Sequence, residues 1–186
     1  MAEITKRALA ASLKKLVGRM PLDKVTVTDI AEDCGVNRQT FYYHFHDICD
    51  LVEWIYTKEA SRLLEGKTTG ETWQQGMQQI FNYLGENRTF VTATYRSAWL
   101  GELSRYLDRE VKRLLSGVWM EKAGQALVNP ADRDFILCFY THALTGLVLE
   151  WVEDGMPDPK AALASRLEIL LPGAFDVALD RFRTDR

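Results

Sequence analysis

The sequence predicts an all-α protein, with an N-terminal three-helix head containing a helix-turn-helix and a C-terminal helical body. Three observations predict it. Apolar residues recur at helical rather than alternating spacing in almost every segment; residues with N-cap chemistry stand at the start of most of those segments; and no stretch shows the period of two expected of a half-buried strand. With 186 residues, 47% of them hydrophobic and 26% charged, the chain is long enough to bury a core without disulfides and has the composition of a globular protein.

The elements follow in order. Leu9, Leu13, Leu16, Val17 and Met20 paint one face of a helix over 5–19, which Pro21 ends by pushing its predecessor out of the α region. Val27, Ile30, Ala31 and Cys34 define a short second helix, opened by a capping box of Thr26 and Asp29 and closed at Gly35. Asn37 caps a third helix, and Asp47 caps a fourth over 48–64. Residues 65–72 form a Gly/Thr-rich linker. Helical patterns then cover 71–86 and 89–121, the second broken near Gly101, followed by a helix of about 24 residues opened by Asn129-Pro130 and a last one running from Asp158-Pro159 to about 181, kinked at Pro172-Gly173. The domain boundary falls at 62/63.

Charge gives a weaker signal. The net charge is −3, so any affinity for nucleic acid has to be local. Residues 1–46 carry a net +2 and the remainder −5, an asymmetry that fits a nucleic-acid-facing head or a chance fluctuation equally. Three unpaired cysteines without CxxC spacing point away from disulfides or a zinc ribbon and towards a reducing compartment. The expectation is a soluble, cytoplasmic protein, because no uninterrupted apolar stretch reaches the length of a bilayer span and charges interrupt the N-terminus.

The functional constellation is TVTDIAEDCGVNRQTFYYHF, residues 26–45. Ala31 is small where two helices must approach, Gly35 permits a tight turn, and Ile30, Cys34, Val36, Phe41 and Phe45 supply a shared core. Two readings fit this spacing: an ordinary helical hairpin, or a helix-turn-helix whose second helix enters the major groove. In the second reading Arg38 and Gln39, at the start of the third helix, suit guanine and adenine edges.

The run TVTDIAEDCGVNRQTFYYHFHDICDL resembles the helix-turn-helix of TetR/AcrR transcriptional regulators, with their T-V-x-D-I-A opening, glycine turn and closing T-x-Y-x-H-F. The resemblance covers about the first 60 residues and implies a homodimer that binds a pseudo-palindromic DNA operator, most simply as a repressor. It implies a DNA-binding set of Thr28, Asn37, Arg38, Gln39, Thr40, Tyr42, Tyr43 and His44, with Thr28 and the later residues contacting phosphates or thymine methyls, although either tyrosine could equally be packing. It also implies a C-terminal half that senses a small molecule or a protein partner and dimerises through its last two helices. A subset of the family tied to dihydroxyacetone kinase regulation shares the flavour of YYHFHDICDLVEWIY, and a coactivator or adaptor acting through a protein partner is the alternative function. Where the family has K-x-K after H-F, this chain has His46-Asp47-Ile48, which lowers the expected phosphate grip and flattens the expected salt dependence.

In the C-terminal half, Tyr95, Trp99, Tyr140 and His142, with Arg96, are the polar aromatic candidates for an effector pocket, although aromatic stripes build cores at least as often. Phe135, Phe139, Ala143, Leu147, Val148 and Trp151 on one helix, and Leu163, Leu167, Leu170, Leu171 and Phe175 on the next, are the expected dimer surface. Cys34 and Cys138 are read as small core side chains and His142 as a core histidine when it is not a pocket residue. No cofactor and no metal are expected; His44, His46, Cys49 and Asp50 lack a familiar ligand spacing. No nucleophile elbow, P-loop or metalloprotease motif occurs, so no enzyme is expected.

Overall fold

The computed structural model describes residues 2–63, 69, 72–123, 127–157, 163–171 and 173–184. Among them the chain is helical throughout, in the order α1 (Ala2–Leu16), a 3-10 turn (Leu22–Lys24), α2 (Val27–Asp33), α3 (Arg38–His44), α4 (Ile48–Leu63), α5 (Trp73–Glu86), α6 (Arg88–Tyr95), α7 (Leu100–Ala123), α8 (Pro130–Glu153), α9 (Leu163–Leu170) and α10 (Ala174–Phe182). An isolated bridge pairs Val128 with Arg183. By backbone contacts the chain divides into two compact units, 1–60 with 87–106, and 61–86 with 107–186.

The first unit is organised around α1. Leu9 and Leu13 are fully buried, and with Ile30, Phe41, Leu51 and Val52 they form the core that α2, α3 and α4 share. Ser12 sits in that core with its hydroxyl donating to Ile30 O at 3.3 Å, so its polarity is satisfied. Helix α1 starts three residues earlier than the periodicity predicts. Tyr56 of α4 stacks on Tyr106 at 4.9 Å between centroids and tilts against Phe90 at 5.3 Å, bringing α6 and the start of α7 into the same unit.

The capping chemistry reads directly from sequence to structure. Asp50 N donates to Asp47 Oδ1 at 2.8 Å at the start of α4. Asn129 accepts from Ala131 N at 2.9 Å with Pro130 at the first helical position of α8.

The break before α7 falls at 96–99 rather than at Gly101. Ser97 accounts for it: its Oγ donates to Thr94 O at 2.8 Å and accepts from Trp99 N at 3.1 Å, ending α6 and starting α7, while Gly101 lies within the new first turn. The expected last helix is two, α9 and α10, separated where Gly173 adopts a φ of +83°. Most of the predicted linker, the Asp158-Pro159 start signal and Pro172 lie outside the described residues.

Helix α8 corrects three expectations. It is apolar on both sides: Ile136, Leu144, Val148 and Val152 are buried, yet Phe135 and Phe139 are 62% and 60% exposed. Cys138 and His142, expected in the core, are exposed on that second side, with Cys138 Sγ and His142 Nδ1 3.3 Å apart and His142 Nδ1 3.0 Å from Cys138 O. Helix α8 also has the length and composition to cross a membrane, with a mean hydropathy of 1.5 over an 18-residue window; 44% of that window is buried in the protein's own core, and the core helix of a soluble protein has the same profile. Counting uninterrupted apolar residues overlooked it, because scattered Thr and Gly lower the run length more than the mean.

Candidate nucleic-acid interface

The interface is built from the backbone of residues 26–45. Thr26 Oγ1 accepts from Asp29 N at 3.2 Å while Asp29 Oδ2 accepts from Thr26 N at 2.8 Å and from Thr26 Oγ1 at 2.6 Å, a reciprocal box that fixes the first turn of α2. The side-chain and backbone hydrogen bonds from Thr26 hold the Asp29 carboxyl below its ordinary range. Gly35 ends the helix at φ +66°, where Gly35 N reaches Glu32 O at 3.0 Å and Val36 N reaches Ala31 O at 2.9 Å. A Cβ at Gly35 would meet nothing within 4 Å, so backbone conformation rather than space requires the glycine.

Asn37 then starts α3, its Oδ1 accepting from Thr40 N at 2.8 Å and from Thr40 Oγ1 at 3.0 Å. Phe41 is wholly buried and contacts Phe45 at 5.9 Å, which holds one side of α3 against the core. At about 100° per residue, Arg38, Gln39, Tyr42 and Tyr43 fall within an arc of about 140° on the other side. All four are exposed, Tyr42 at 59% and Tyr43 at 83%. Helix α3 therefore presents one guanidinium, one carboxamide and two phenols as a contiguous outward surface.

The remaining predicted residues sit differently. Thr28 and Thr40 are half-buried, and Thr40 and Asn37 are engaged with each other in the cap. His44 is half-buried and edge-on to Tyr43 at 4.9 Å. The His46–Asp50 segment is occupied by capping, His46 N donating to Asp50 Oδ2 at 2.9 Å, and Cys49 Sγ donates to Glu102 Oε1 at 3.4 Å. Among the described residues no cluster of three His, Cys, Asp or Glu side chains could hold a metal ion.

Several head cations are engaged within the protein. Lys15 bonds Asp33, holding that carboxyl below its ordinary range; Lys14 Nζ donates to Asn87 Oδ1 at 2.8 Å; Arg7 pairs with Glu3; and Lys6 Nζ lies over the Phe45 and Trp54 rings at 5.0 and 5.9 Å. Arg19, Lys24 and Arg38 form no ion pair among the described residues.

In the second unit the expected dimer residues separate. Phe139 is exposed, Leu147 and Leu171 are half-buried, and the Phe175 side chain lies outside the described residues. Trp151 and Leu167, at 6% and 3% exposure, belong to the unit's own core, Trp151 edge-on to Phe81 at 5.2 Å with its indole donating to Pro157 O at 2.7 Å. The reason is geometric: each i+4 step turns about 40° around a helix, so a row that starts outward at Phe135 points inward by Trp151. Sequence reasoning missed Val177 and Phe182 of α10, which join Phe135 and Phe139 around a groove of about 240 Å3.

The four pocket candidates are divided between the two units. Tyr95 and Trp99 belong to the first unit; Tyr140 and His142 belong to the second, where Tyr140 OH donates to Ala174 O at 3.2 Å.

An all-helical chain with a capped helix-turn-helix near its N-terminus and a helical C-terminal half is the build of a helix-turn-helix transcriptional regulator. Residues 9–55 match the family model for bacterial regulatory proteins of the tetR family, and residues 71–173 match a transcriptional regulator C-terminal region. The chain belongs to the TetR family of transcriptional regulators. The HTH-type dhaKLM operon transcriptional activator DhaS of Lactococcus lactis subsp. lactis (strain IL1403) is 29% identical over 87 residues, which is 47% of this chain and 46% of that relative, so the match spans less than half of either. Among solved structures, a dihydroxyacetone kinase operon activator DhaS superposes with a TM-score of 0.70 at 19% identity, covering 97% of this chain and 99% of that one. A tetR-family transcriptional regulator from Streptomyces coelicolor gives 0.59 at 17% identity (93% and 81%), and NalD, the secondary repressor of the MexAB-OprM multidrug efflux pump in Pseudomonas aeruginosa, gives 0.53 at 16% (100% of each). At these identities the structures establish a shared fold.

Proposed function

We propose that this regulator binds operator DNA in the cytoplasm as a homodimer on a pseudo-palindromic site, acting by binding rather than catalysis and without a cofactor. Residues 1–62 are the DNA-binding domain and residues 63–186 the regulatory and dimerisation domain, which responds to a small molecule or a protein partner. Arg38 and Gln39 read base edges; Tyr42, Tyr43 and Thr28 contact the backbone; Asn37, Thr40 and His44 hold α3 in position beside it. The observation that carries this reading is the outward arc of α3, polar and aromatic, on a helix pinned by the Asn37 cap and the buried Phe41.

A homodimer is supported by the exposed apolar side of α8 and α10, where Phe135, Phe139 and Val177 are half or more exposed. Paired heads would read half-sites about 34–36 Å apart, or wider by whole turns. Fluorescence anisotropy with duplex DNA from upstream of the gene tests it. Specific binding, with a log–log salt slope of about −3 to −6 for some three free cations per head, is the expected result. Equal affinity for the upstream duplex and a scrambled one refutes the reading.

A second reading, an activator or adaptor working through a protein partner, is favoured by the role of the DhaS relatives as operon activators. A promoter–reporter assay gives the sign of regulation, and a pull-down without any DNA shift supports the adaptor.

A further inference from the structure

The first compact unit contains a cleft of about 460 Å3 between the end of α1 with its following 3-10 turn and one side of α6. That volume lies within the range of about 300–1,000 Å3 typical of small-molecule sites. Its floor is apolar: Val17 and Leu22, 8% and 1% exposed, with Ala93 beside them. Its rim is cationic. Arg88 and Arg96, both exposed, line it from α6 eight residues apart, which places their Cα atoms about 12 Å apart along the helix, and Thr89 and Thr92 fill the row between.

The one carboxylate in the lining is Asp23, whose Oδ1 already accepts from Ala98 N at 3.2 Å. The lining therefore carries a net charge of +1 around an apolar floor. Water satisfies the rim but not the floor; a neutral apolar molecule satisfies the floor but makes no charge-assisted contact with Arg96.

We propose that this cleft binds a small organic anion with an apolar body, its tail on Val17, Leu22 and Ala93 and its charged group held by Arg96 and Arg88. The site is separate from the outward surface of α3 and does not depend on the DNA-binding reading. An occupant bridges the 3-10 turn and α6, beside the Asp23–Ala98 bond that ties the same turn to the segment between α6 and α7.

Isothermal titration of the full chain with octanoate, octyl phosphate and octanol tests it. The expected result is one saturable site per chain for both anions, at least about tenfold tighter than for octanol. Arg96→Gln weakens both anions by about tenfold, and Thr89→Trp, an exposed rim position that can block the cleft without altering charge, abolishes saturable binding. Both substitutions are on the surface, and unchanged helicity by circular dichroism confirms that the variants fold. Anions binding no tighter than octanol, or binding that survives both substitutions and so belongs elsewhere, overturns the proposal.

Discussion

Helices α3 and α8 both turn aromatic side chains outward, and the difference between them separates two kinds of exposed surface. On α3 the exposed rings are Tyr42 and Tyr43, each with a hydroxyl, interleaved with Arg38 and Gln39, and the helix is only seven residues long with one fully buried anchor, Phe41. Water can satisfy that surface, and so can phosphate and base edges. On α8 the exposed rings are Phe135 and Phe139, among Ala131, Cys138, His142, Ala143 and Gly146 on a helix of 24 residues whose opposite side is already core. Phenylalanine has nothing to offer water, so that side is suited to protein rather than polar ligand. An exposed aromatic residue is informative only together with its neighbours.

The comparison breaks most decisively at α8. Phe135→Glu with Phe139→Glu removes about 1.5–3 kcal/mol of burial per ring, counted twice in a symmetric pair, so dimer dissociation should rise by about four orders of magnitude or more. Sedimentation velocity at micromolar concentration should then show monomer, with helicity retained because neither ring is in the core. A double variant that stays dimeric refutes α8 as the dimer surface.

The mirror experiment acts on α3. Arg38→Ala with Gln39→Ala should leave sedimentation unchanged while lowering operator affinity at least about a thousandfold, from about 1–3 kcal/mol per base contact for two contacts repeated in two half-sites. An effect of the same size on scrambled DNA would assign these residues to phosphates instead.

A smaller effect sharpens the role of Asn37. Asn37→Ala should cost about 1 kcal/mol, a fall of about 2–4 °C in Tm, and Asn37→Asp should recover most of it by restoring an oxygen acceptor. If Asn37→Asp instead abolishes DNA binding at unchanged Tm, the side chain does more than cap.

The smallest effect is in acid. The Asp29 carboxyl is held below its ordinary 3.8 by the Thr26 bonds, so its contribution is complete above that value and is lost as pH falls through the lower folded-state value. The stability gap between wild type and Asp29→Asn, read by denaturant titration, should therefore be constant from pH 7 to 5 and narrow below about pH 4. A gap that widens in acid contradicts the capping box.

What was legible in the sequence was local chemistry. Thr26 with Asp29, Asn37, Asp47 and Asn129-Pro130 each signal a helix start within three residues, and each forms the bond its type suggests. What was not legible was orientation. On α8 the apolar residues go all the way round, so periodicity cannot say which side meets the core, and Cys138, His142 and Trp151 were placed on the wrong one. The Ser97 break was readable in principle, from a serine able to cap in both directions, but a glycine four residues later drew the boundary. Of the two arginines on the α6 side of the cleft, Arg96 stood out only as a companion of Tyr95 and Trp99 and Arg88 not at all, because their partner surface around Leu22 is some 70 residues away in sequence and only tertiary packing brings the two together.

The inward engagement of Lys6, Lys14 and Lys15 bears on competition between target and non-target DNA. Affinity for arbitrary duplex rests on mobile cations, and a head with three of its four lysines tied to rings, an asparagine and an aspartate has few to offer. If this head reads an operator as proposed, the excess of irrelevant genomic sequence competes weakly for it, so a small number of copies should suffice to keep a rare target occupied.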